Sequence, residues 1–568
     1  MVAFINERRN RYLTSACSTL HHFTSGQVVT PDVSKQLLAY SESGLQEYMS
    51  FRNARFVTKE MKLSDTIKRK NLPSFRAKGK AASLEGSSLQ TKKATSKKLG
   101  KMQKEIDMAR SRGIATSELL KHDLVEESPL FHGDDMTKPQ KHIMIQELEK
   151  QLEKDDYAFD KQSNTPTVVI VDFMSVVRKV PFAKCSTFKE ALAFVWHLVT
   201  TAVSAGRVDI VYDSYLEGSI KESERRHRSP VDAVEVVNMK LSSPIPVELE
   251  RFWASAKNKE NMQLMSRVMF ASKAAGAPFT LVLSGYVTDS DGAADCVAIE
   301  NGVLSVRPEL HSSIEEADCR LIPHVHNAVQ CQSKRVLILS NDTDVVLYTL
   351  AYHDIYEQQG IEELWIQFGT GDKTRHIPVH TLAKRLGANK LRMILKAHIL
   401  TGSDVTFKVG TKAAALKAQP ERYLQDFGEN TFVTDLVQAE KYLVNVVQAK
   451  STCATFDELR YNIYTSKNKT LTELPPTSST IRGHLLRCHY FVRVCVTLLD
   501  LETSELSPLN FGWKQVNGML LPEKNQTSIP EEYTLTCACK KGCTRGCSCK
   551  RNEEQCIEHC KCQNCSNK

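Results

Sequence analysis

The sequence has no uncharged apolar run of membrane-spanning length, and its first residues, MVAFINERRNRY, lack the apolar segment of a secretory leader. These two absences predict a soluble, intracellular protein with no membrane partner. In such a compartment the 17 cysteines are expected as thiols or metal ligands rather than as disulfides. A length of 568 residues is more than one hydrophobic core serves, so several modules are expected.

Acidic residues are nearly absent from residues 67–104, which contain twelve Lys and Arg residues and a single acid, Glu85. We predict a basic linker there, which is either simply solvated or contacts nucleic acid or directs the protein to the nucleus. No pattern assigns the preceding residues, 1–66. The following residues, 105–160, are predicted as helical, because KHIMIQELEKQLEK places acids and bases at i,i+4 spacing.

Between residues 165 and 375, short β-branched runs alternate with helix-like stretches. This alternation predicts an α/β fold with a doubly wound, mainly parallel sheet. Three further segments are expected after this core: short helices around a Gly-containing turn at 376–425, a helical segment at 430–500, and a loop-like linker at 501–536. The five predicted strands are TVVIVDF from residue 167, VDIVYD from 208, FTLVLSG from 279, RVLILS from 335 and ELWIQFG from 363.

Seven acidic residues follow these strands or begin and end the helices between them. Each acid alone has an ordinary explanation as a helix cap, a partner of the helix dipole or a turn residue. Ligands of open α/β sheets, however, bind at the carboxyl ends of the strands, and clustered carboxylates repel one another unless cations are present. The arrangement suits hard ions such as Mg²⁺ or Mn²⁺, and two such ions can support phosphodiester hydrolysis. The seven acids are Asp172, Asp213, Glu316, Asp318, Asp342, Asp344 and Asp404.

The ordered set resembles the structure-specific 5′ nucleases, the flap endonuclease and XPG-like group of PIN-like domains. The matching motifs are the Asp172 strand end, VYD ending in Asp213, Glu316-Ala317-Asp318, Asp342-Thr343-Asp344 and LTGSD ending in Asp404. The resemblance covers residues 165–425 and implies a helix–two-turn–helix element at 376–425. It also implies one metal cluster at Asp172, Asp213, Glu316 and Asp318, and a second at Asp342, Asp344 and Asp404.

The same resemblance assigns a phosphate-gripping role to two basic residues, Lys221 and Arg228, which are seven positions apart. The alternative for this pair is a solvated basic helix face. The chain departs from the family pattern at three points. Ser214 stands where the family has glycine, Val405 stands where it has an aromatic residue, and only Gly410 remains of a Gly-x-Gly turn.

Apolar residues are almost absent from the tail, 537–567, so no ordinary core holds it together. Its nine cysteines read C-x-C-x3-C-x3-C-x-C-x6-C-x3-C-x-C-x2-C. An odd number argues against a closed disulfide set, and the spacing favours zinc ligands over free thiols. Three zinc ions with three bridging thiolates satisfy the count. The predicted ligands are Cys537, Cys539, Cys543, Cys547, Cys549, Cys556, Cys560, Cys562 and Cys565.

This spacing resembles the CXC module of tesmin-type proteins, which is a DNA-binding zinc cluster. The resemblance implies phosphate contacts from basic residues of the tail: Lys540, Lys541, Arg545, Lys550 and Arg551. Together the motifs predict a nuclear, metal-dependent nuclease that acts on DNA, including branched or single-stranded ends. Two alternatives stay open: a non-catalytic DNA- or chromatin-binding protein that retains the nuclease fold, and a PIN-like ribonuclease.

Overall fold

The structure is a computed structural model of the 568-residue chain. Nearly all of the predicted basic linker at 67–104 lies outside the described residues, as do Arg228, Lys541 and Arg545. The structure describes residues 40–62, 65, 103–124, 128–132, 135–215, 218–223, 233–284, 296–312, 314–467, 471–500, 506–540, 542–544, 546–563 and 565–567.

The chain divides into two compact units. One comprises residues 1–104, 231–239 and 246–258, and the other comprises residues 105–230, 240–245 and 259–568. In the first unit the Asn258 side chain donates hydrogen bonds to the carbonyls of Val234 and Phe252, at 2.7 and 2.9 Å. The described helical segments of this unit include Tyr40–Arg52, a π-helical turn at Asn53–Val57, and Leu249–Ala254.

The second unit is built on a mixed, mostly parallel sheet of eight strands. In space the strands run β8-β7-β6-β1-β2-β3-β4-β5, and the five strands from β7 to β3 are parallel to one another. These five are the strands that the sequence predicts, so the α/β class is confirmed. In chain order the eight are β1 Thr167–Asp172, β2 Ala205–Val211, β3 Thr280–Ser284, β4 Cys296–Glu300, β5 Val303–Val306, β6 Arg335–Leu339, β7 Glu363–Phe368 and β8 Arg375–Pro378.

The central strand β1 explains why the sheet forms where it does. All six of its residues are buried, and it lies between β2 and β6. β-Branched side chains suit a strand that is covered on both sides, because a parallel sheet buries both of its faces. Val168 and Ile170 belong to a core that continues through the helices that follow β6, whereas Val169 points to the opposite face.

Three strands of the sheet were not predicted. β4 and β5 form an antiparallel hairpin, and β8 pairs antiparallel with β7. The hairpin turns at Asn301-Gly302, with φ values of 50° and 78°, which is a type I′ turn signal. β8 ends in Pro378, as suits an edge strand.

The predicted linker at 501–536 also contains regular structure, which corrects that interpretation. Strands Trp513–Val516 and Met519–Pro522 form a hairpin around Asn517-Gly518, again at φ 50° and 78°. Buried Arg487 donates to the carbonyls of Gly512 and Glu523 at 2.8 and 3.2 Å, which fixes this hairpin on the helical segment.

Helices cover the sheet and build the C-terminal half of the unit. The predicted helical content of 376–425 and 430–500 is present, and no described helix is long and apolar enough to cross a membrane. Residues 105–160 are helical only in part. The helices are α1 His142–Glu149, α2 Phe173–Val177, α3 Phe188–Thr200, α4 Ala256–Ala274, α5 Ala317–Gln330, α6 Thr343–Gln358, α7 Val379–Leu386, α8 Ala388–Leu400, α9 Lys412–Lys417, α10 Leu436–Val447, α11 Phe456–Lys467 and α12 Ser478–Val496; shorter ones are Thr116–Leu119, Pro420–Tyr423 and Ser548–Arg551.

The strand order creates one crevice at the carboxyl ends of the strands. From β1 the chain proceeds through β2 to β3 on one side, and later continues through β6 to β7 on the other. The point where the direction reverses, between β1 and β6, is where open α/β sheets bind ligands. Asp172 ends β1 and Asp342 follows β6, so both lie at this reversal.

The turn after α8 brings a distant segment to the same edge. Gly402 has φ 111°, and a Cβ there would lie 2.9 Å from the Phe407 carbonyl oxygen and 2.9 Å from Pro139 Cγ. Close packing between the turn and the segment before α1 therefore requires glycine.

We expect Gly402→Ala to lower the free energy of unfolding by about 2 kcal/mol or more, because both the left-handed backbone and the close approach are lost. Gly276→Ala is the matched control, since nothing lies within 4 Å of the Cβ position there. Urea denaturation of both variants measures the difference. Equal midpoints would contradict this account of the turn.

Candidate metal centre and cysteine cluster

The seven acids predicted from the sequence lie at one edge of the sheet, around the reversal point. Asp172 and Asp213 follow the neighbouring strands β1 and β2, and the Asp213 Oδ1 accepts a hydrogen bond from the Ala317 amide at 2.9 Å. That bond places the start of α5, with Glu316 and Asp318, against the end of β2. Asp342 and Asp344 follow β6.

Two of these acids cap helices, which is the ordinary explanation for an acid at such a position. Asp172 Oδ1 accepts from the Ser175 amide at 3.0 Å, and Asp342 Oδ1 accepts from the Asp344 amide at 2.9 Å. The second Asp172 oxygen accepts from the Ser340 hydroxyl at 3.1 Å. Capping and membership of the cluster are therefore compatible in the same side chain.

Charge repulsion is strongest among the acids near β1, β2 and α5. Burial and the neighbouring Asp213 raise the pKa of Asp172 to about 7. Burial, and then Glu316, raise the pKa of Asp318 well above its usual range. Burial also raises the pKa of Glu316, although the Lys221 ammonium opposes the shift. These carboxyls hold protons more tightly than free ones because burial removes water from them and neighbouring acids repel their negative charge.

The acids after β6 have a different environment, because Lys141 lies among them. Its Nζ is 2.9 Å from Asp344 Oδ2, 2.7 Å from Asp404 Oδ1 and 3.8 Å from Asp342 Oδ1. Burial opposes ionisation of Asp344, but Lys141 and the adjacent His398 hold its pKa well below the usual range. The His398 Nε2 lies 3.0 Å from Asp344 Oδ1.

Lys221 is the predicted phosphate-binding lysine that the structure describes. Its Nζ forms an ion pair with Glu316 and lies 3.5 Å from Asp404 Oδ2. The side chain therefore lies inside the acidic site and joins the two groups of acids. Its predicted partner Arg228 lies outside the described residues.

Lys141 and His398 are the site residues that the sequence analysis missed. Lys141 is 203 positions from Asp344, and KHIMIQ reads as an ordinary helix start. His398 lies among apolar residues at the end of α8, in the stretch AHIL. No local signal distinguishes either residue, because their partners come from distant parts of the chain.

The first group of acids comprises Asp172, Asp213, Glu316 and Asp318, and two of these acids lie close enough together to share a metal ion. A carboxylate oxygen from each of Glu316 and Asp318 lies within 4.8 Å of the other and of the Cys319 sulfur. The Asp213 carboxylate is close enough to Asp172 to raise the pKa of Asp172. Oxygen donors of this kind are the ligands that Mg²⁺ and Mn²⁺ prefer.

All nine cysteines of the tail lie in one cluster, as the zinc interpretation requires. Five are buried, and the other four pack against them. The sulfurs of Cys543 lie 3.5 Å from Cys556 and 3.7 Å from Cys537, which are distances suited to one shared metal ion. In three groups of four, the sulfurs all lie within 4.8 Å of one another: Cys537, Cys556, Cys560 and Cys562; Cys537, Cys543, Cys547 and Cys556; and Cys543, Cys556, Cys562 and Cys565.

Arg112, which follows the helix at 103–111, connects that helix to the cluster. The Arg112 side chain is 4% exposed. It donates to Glu554 Oε2 at 2.8 Å and to the carbonyls of Leu535 and Gln555, and it contacts Cys549 Sγ at 3.5 Å. The guanidinium thus places a positive charge against sulfurs that become anionic when they bind a metal.

We expect Asp172→Asn to stabilise the protein in buffer without added divalent ions at pH 8. The folded state holds the Asp172 proton up to a pH of about 7, against 3.8 for a free carboxyl, so stability falls as pH rises between those values. The amide mimics the protonated carboxyl, so above pH 7 the substitution raises the free energy of unfolding by at most about 4 kcal/mol. Below pH 4 the gain should vanish. Denaturant unfolding at pH 4 and pH 8 measures it.

Asp209→Asn is the matched contrast for this prediction. Asp209 is fully buried on β2, accepts hydrogen bonds from Arg207 Nε and Nη2 at 2.7 Å each, and lies 2.6 Å from His324 Nδ1. Loss of that carboxylate should destabilise by about 3 kcal/mol or more. If both substitutions destabilise the protein at pH 8, neighbouring groups already stabilise the ionised Asp172 carboxylate, and the prediction is wrong.

Comparison with models of known protein families gives no match, and comparison with curated proteins gives none either. The chemistry of the chain is concentrated in two sites: a carboxylate cluster at the reversal point of a mostly parallel sheet, and a cluster of nine cysteines in the tail.

Proposed function

We propose that the protein is a divalent-metal-dependent nuclease that acts on DNA. One observation carries the proposal: seven carboxylates converge at the reversal point of the sheet, and burial and mutual repulsion raise the pKa of several of them. Crowding buried carboxylates destabilises the fold and gives a protein that only binds DNA no advantage. A divalent ion that binds among them would offset this destabilisation. When bound there, such an ion supplies Lewis acidity for phosphodiester hydrolysis.

The residues of the chain have distinct roles in this proposal. Asp172, Asp213, Glu316 and Asp318 hold the ion, and the buried Ser340 hydroxyl keeps Asp172 in place. Lys221 lies between the two groups of acids, where its ammonium would attract the phosphate of a substrate. The resemblance to the 5′ nucleases supports DNA with branched or single-stranded ends as the substrate class.

The cysteine cluster supports a zinc module that tethers the nuclease to DNA or chromatin in the nucleus. Exposed cations on the described part of this module are Lys540, Lys550, Arg551 and Lys561. Phosphate contacts by such residues would position the protein without reading sequence. We assign three zinc ions to the nine cysteines, because this count satisfies tetrahedral coordination with shared sulfurs.

A second candidate, a non-catalytic DNA-binding protein, is favoured by one specific observation. Lys141 and Lys221 already neutralise part of the acidic cluster without any metal ion. A ribonuclease of the same fold class is the third possibility, and the choice of substrate distinguishes it.

Asp172→Asn tests the nuclease proposal directly, since it should fold well and yet lose cleavage. Loss of a metal ligand should reduce the rate by about 100-fold or more, because even loss of a supporting hydrogen bond to a ligand costs about 10- to 100-fold. Labelled single-stranded, duplex, flap and RNA substrates with Mg²⁺ or Mn²⁺ provide the measurement. Glu362→Gln is the control, as Glu362 forms an exposed ion pair with Lys334.

Each outcome of that assay selects one function. Cleavage of DNA by the wild type and by Glu362→Gln, but not by Asp172→Asn, supports the proposal. DNA binding without cleavage selects the non-catalytic protein, and cleavage of RNA alone selects the ribonuclease. Full activity in Asp172→Asn would falsify the assignment of the catalytic centre.

Native mass spectrometry should find three zinc ions per chain, and Cys547→Ser should lower that number. Cys547 is fully buried in the cluster, and zinc–thiolate bonds supply most of the free energy that orders such a segment.

DNA affinity should fall in the Cys547→Ser variant, and wild-type affinity should fall steeply with salt because phosphate contacts release counterions. Cys331→Ser, at an exposed cysteine outside the cluster, should change neither property. One zinc ion per chain, or affinity independent of salt, would overturn this part of the proposal.

A further inference from the structure

The Lys141 ammonium has the surroundings of a bound cation. Three carboxylates have oxygens within 4.0 Å of it, and two of these, from Asp344 and Asp404, are at hydrogen-bonding distance. The side chain is 20% exposed, and Asp344 is buried beneath it. An ion pair on a protein surface has one partner as a rule, whereas this ammonium has three.

The main chain holds Lys141 in this position. The segment before it is fixed to the turn that carries Asp404: the Lys408 amide donates to the Thr137 carbonyl at 2.9 Å, and Lys138 Nζ donates to the Asp404 carbonyl at 2.7 Å. Pro139 fills the space beside Gly402.

The helix after Lys141 fixes it from the other side. Lys141 is the N-cap residue of α1, whose inner face is buried in the main core through Met144, Ile145 and Leu148. The ammonium is therefore presented by a packed segment of the fold rather than by a mobile arm.

We propose that the Lys141 ammonium permanently takes the place of one divalent ion, so that this centre binds a single divalent cation at Asp172, Asp213, Glu316 and Asp318. This inference rests on the proposed metal-dependent function and revises the two ions expected from the sequence. Asp342, Asp344 and Asp404 then serve to bind the lysine rather than a metal.

Charge and space both support this division of the site. A divalent ion bound to Asp344 and Asp404 would need the same oxygens that the ammonium contacts at 2.9 and 2.7 Å, and the two cations would repel each other. The first group differs: within the described residues, Asp172, Asp213 and Asp318 have no ion pair within 4.0 Å, and Lys221 pairs with Glu316 alone of these four. Only that group needs a further cation.

The number of bound Mn²⁺ ions tests the proposal without reference to activity. The zinc-loaded full chain would be titrated with Mn²⁺, and free ion would be measured by electron paramagnetic resonance. We expect one ion per chain for the wild type and two for Lys141→Met, which keeps the aliphatic length of the side chain but exposes three carboxylates to the metal. Lys150→Met is the control, because Lys150 pairs with Glu147 on the exposed side of α1.

Two further variants keep the test decisive if Lys141→Met alone folds poorly. Lys141→Arg keeps the positive charge and should bind one ion. Lys141→Met combined with Asp344→Asn removes one charge of each sign and should also bind one ion. Circular dichroism confirms folding of each variant.

The results distinguish the role of Lys141 from the metal-dependent function on which it rests. Two ions on the wild type, or one on folded Lys141→Met, would overturn the role of Lys141 and leave the metal-dependent nuclease in place. No ion on any variant would overturn the metal-dependent function itself, and the role of Lys141 with it. One ion on the wild type and two on Lys141→Met would establish the lysine as the resident cation.

Discussion

Repulsion among seven carboxylates at one edge of a sheet is the constraint that the second compact unit must satisfy. Like charges at such distances cost several kcal/mol unless they are protonated, hydrogen-bonded or paired. The chain uses all three means. Asp172 and Asp318 are driven towards the protonated form, Asp213 accepts from a backbone amide, and Asp344 pairs with an ammonium.

Much of the surrounding structure serves to bring these groups together from distant parts of the chain. The β1 and β6 pairing sets Ser340 beside Asp172, and the turn at Gly402 packs on Pro139 so that Lys141 and Asp404 meet. Arg112 performs a similar task for the cysteine cluster, which it contacts through side-chain and backbone atoms. In each case a buried charge is held by partners that are remote in sequence.

The sequence predicts the parallel strands well because burial on both faces demands uninterrupted β-branched runs such as TVVIV. It also places Asp172 and Asp342 correctly at the strand ends. The site where an open α/β sheet binds ligands follows from the strand order alone, because it lies where that order reverses. The two unpredicted hairpins do carry a local signal, Asn301-Gly302 and Asn517-Gly518.

The place of Lys141 in the acidic site could not be predicted, for a different reason. Its neighbours in sequence describe an ordinary amphipathic helix, and its neighbours in space come from α6 and from the turn after α8. Periodicity and motif spacing carry no information on such a contact. Only the packed fold reveals that the lysine faces acids rather than water.

The central position of β1 has a consequence for biosynthesis. One edge of β1 pairs with β2, which follows within about 40 residues, but the other edge pairs with β6, whose register joins Thr167 to Arg335. While a ribosome makes the intervening residues, the fully buried strand β1 presents an open edge with unpaired amides and carbonyls. Exposed strand edges are templates for association between chains, and pairing between distant segments is slow. The nascent chain therefore passes through a period in which protection by a chaperone is of most value to it.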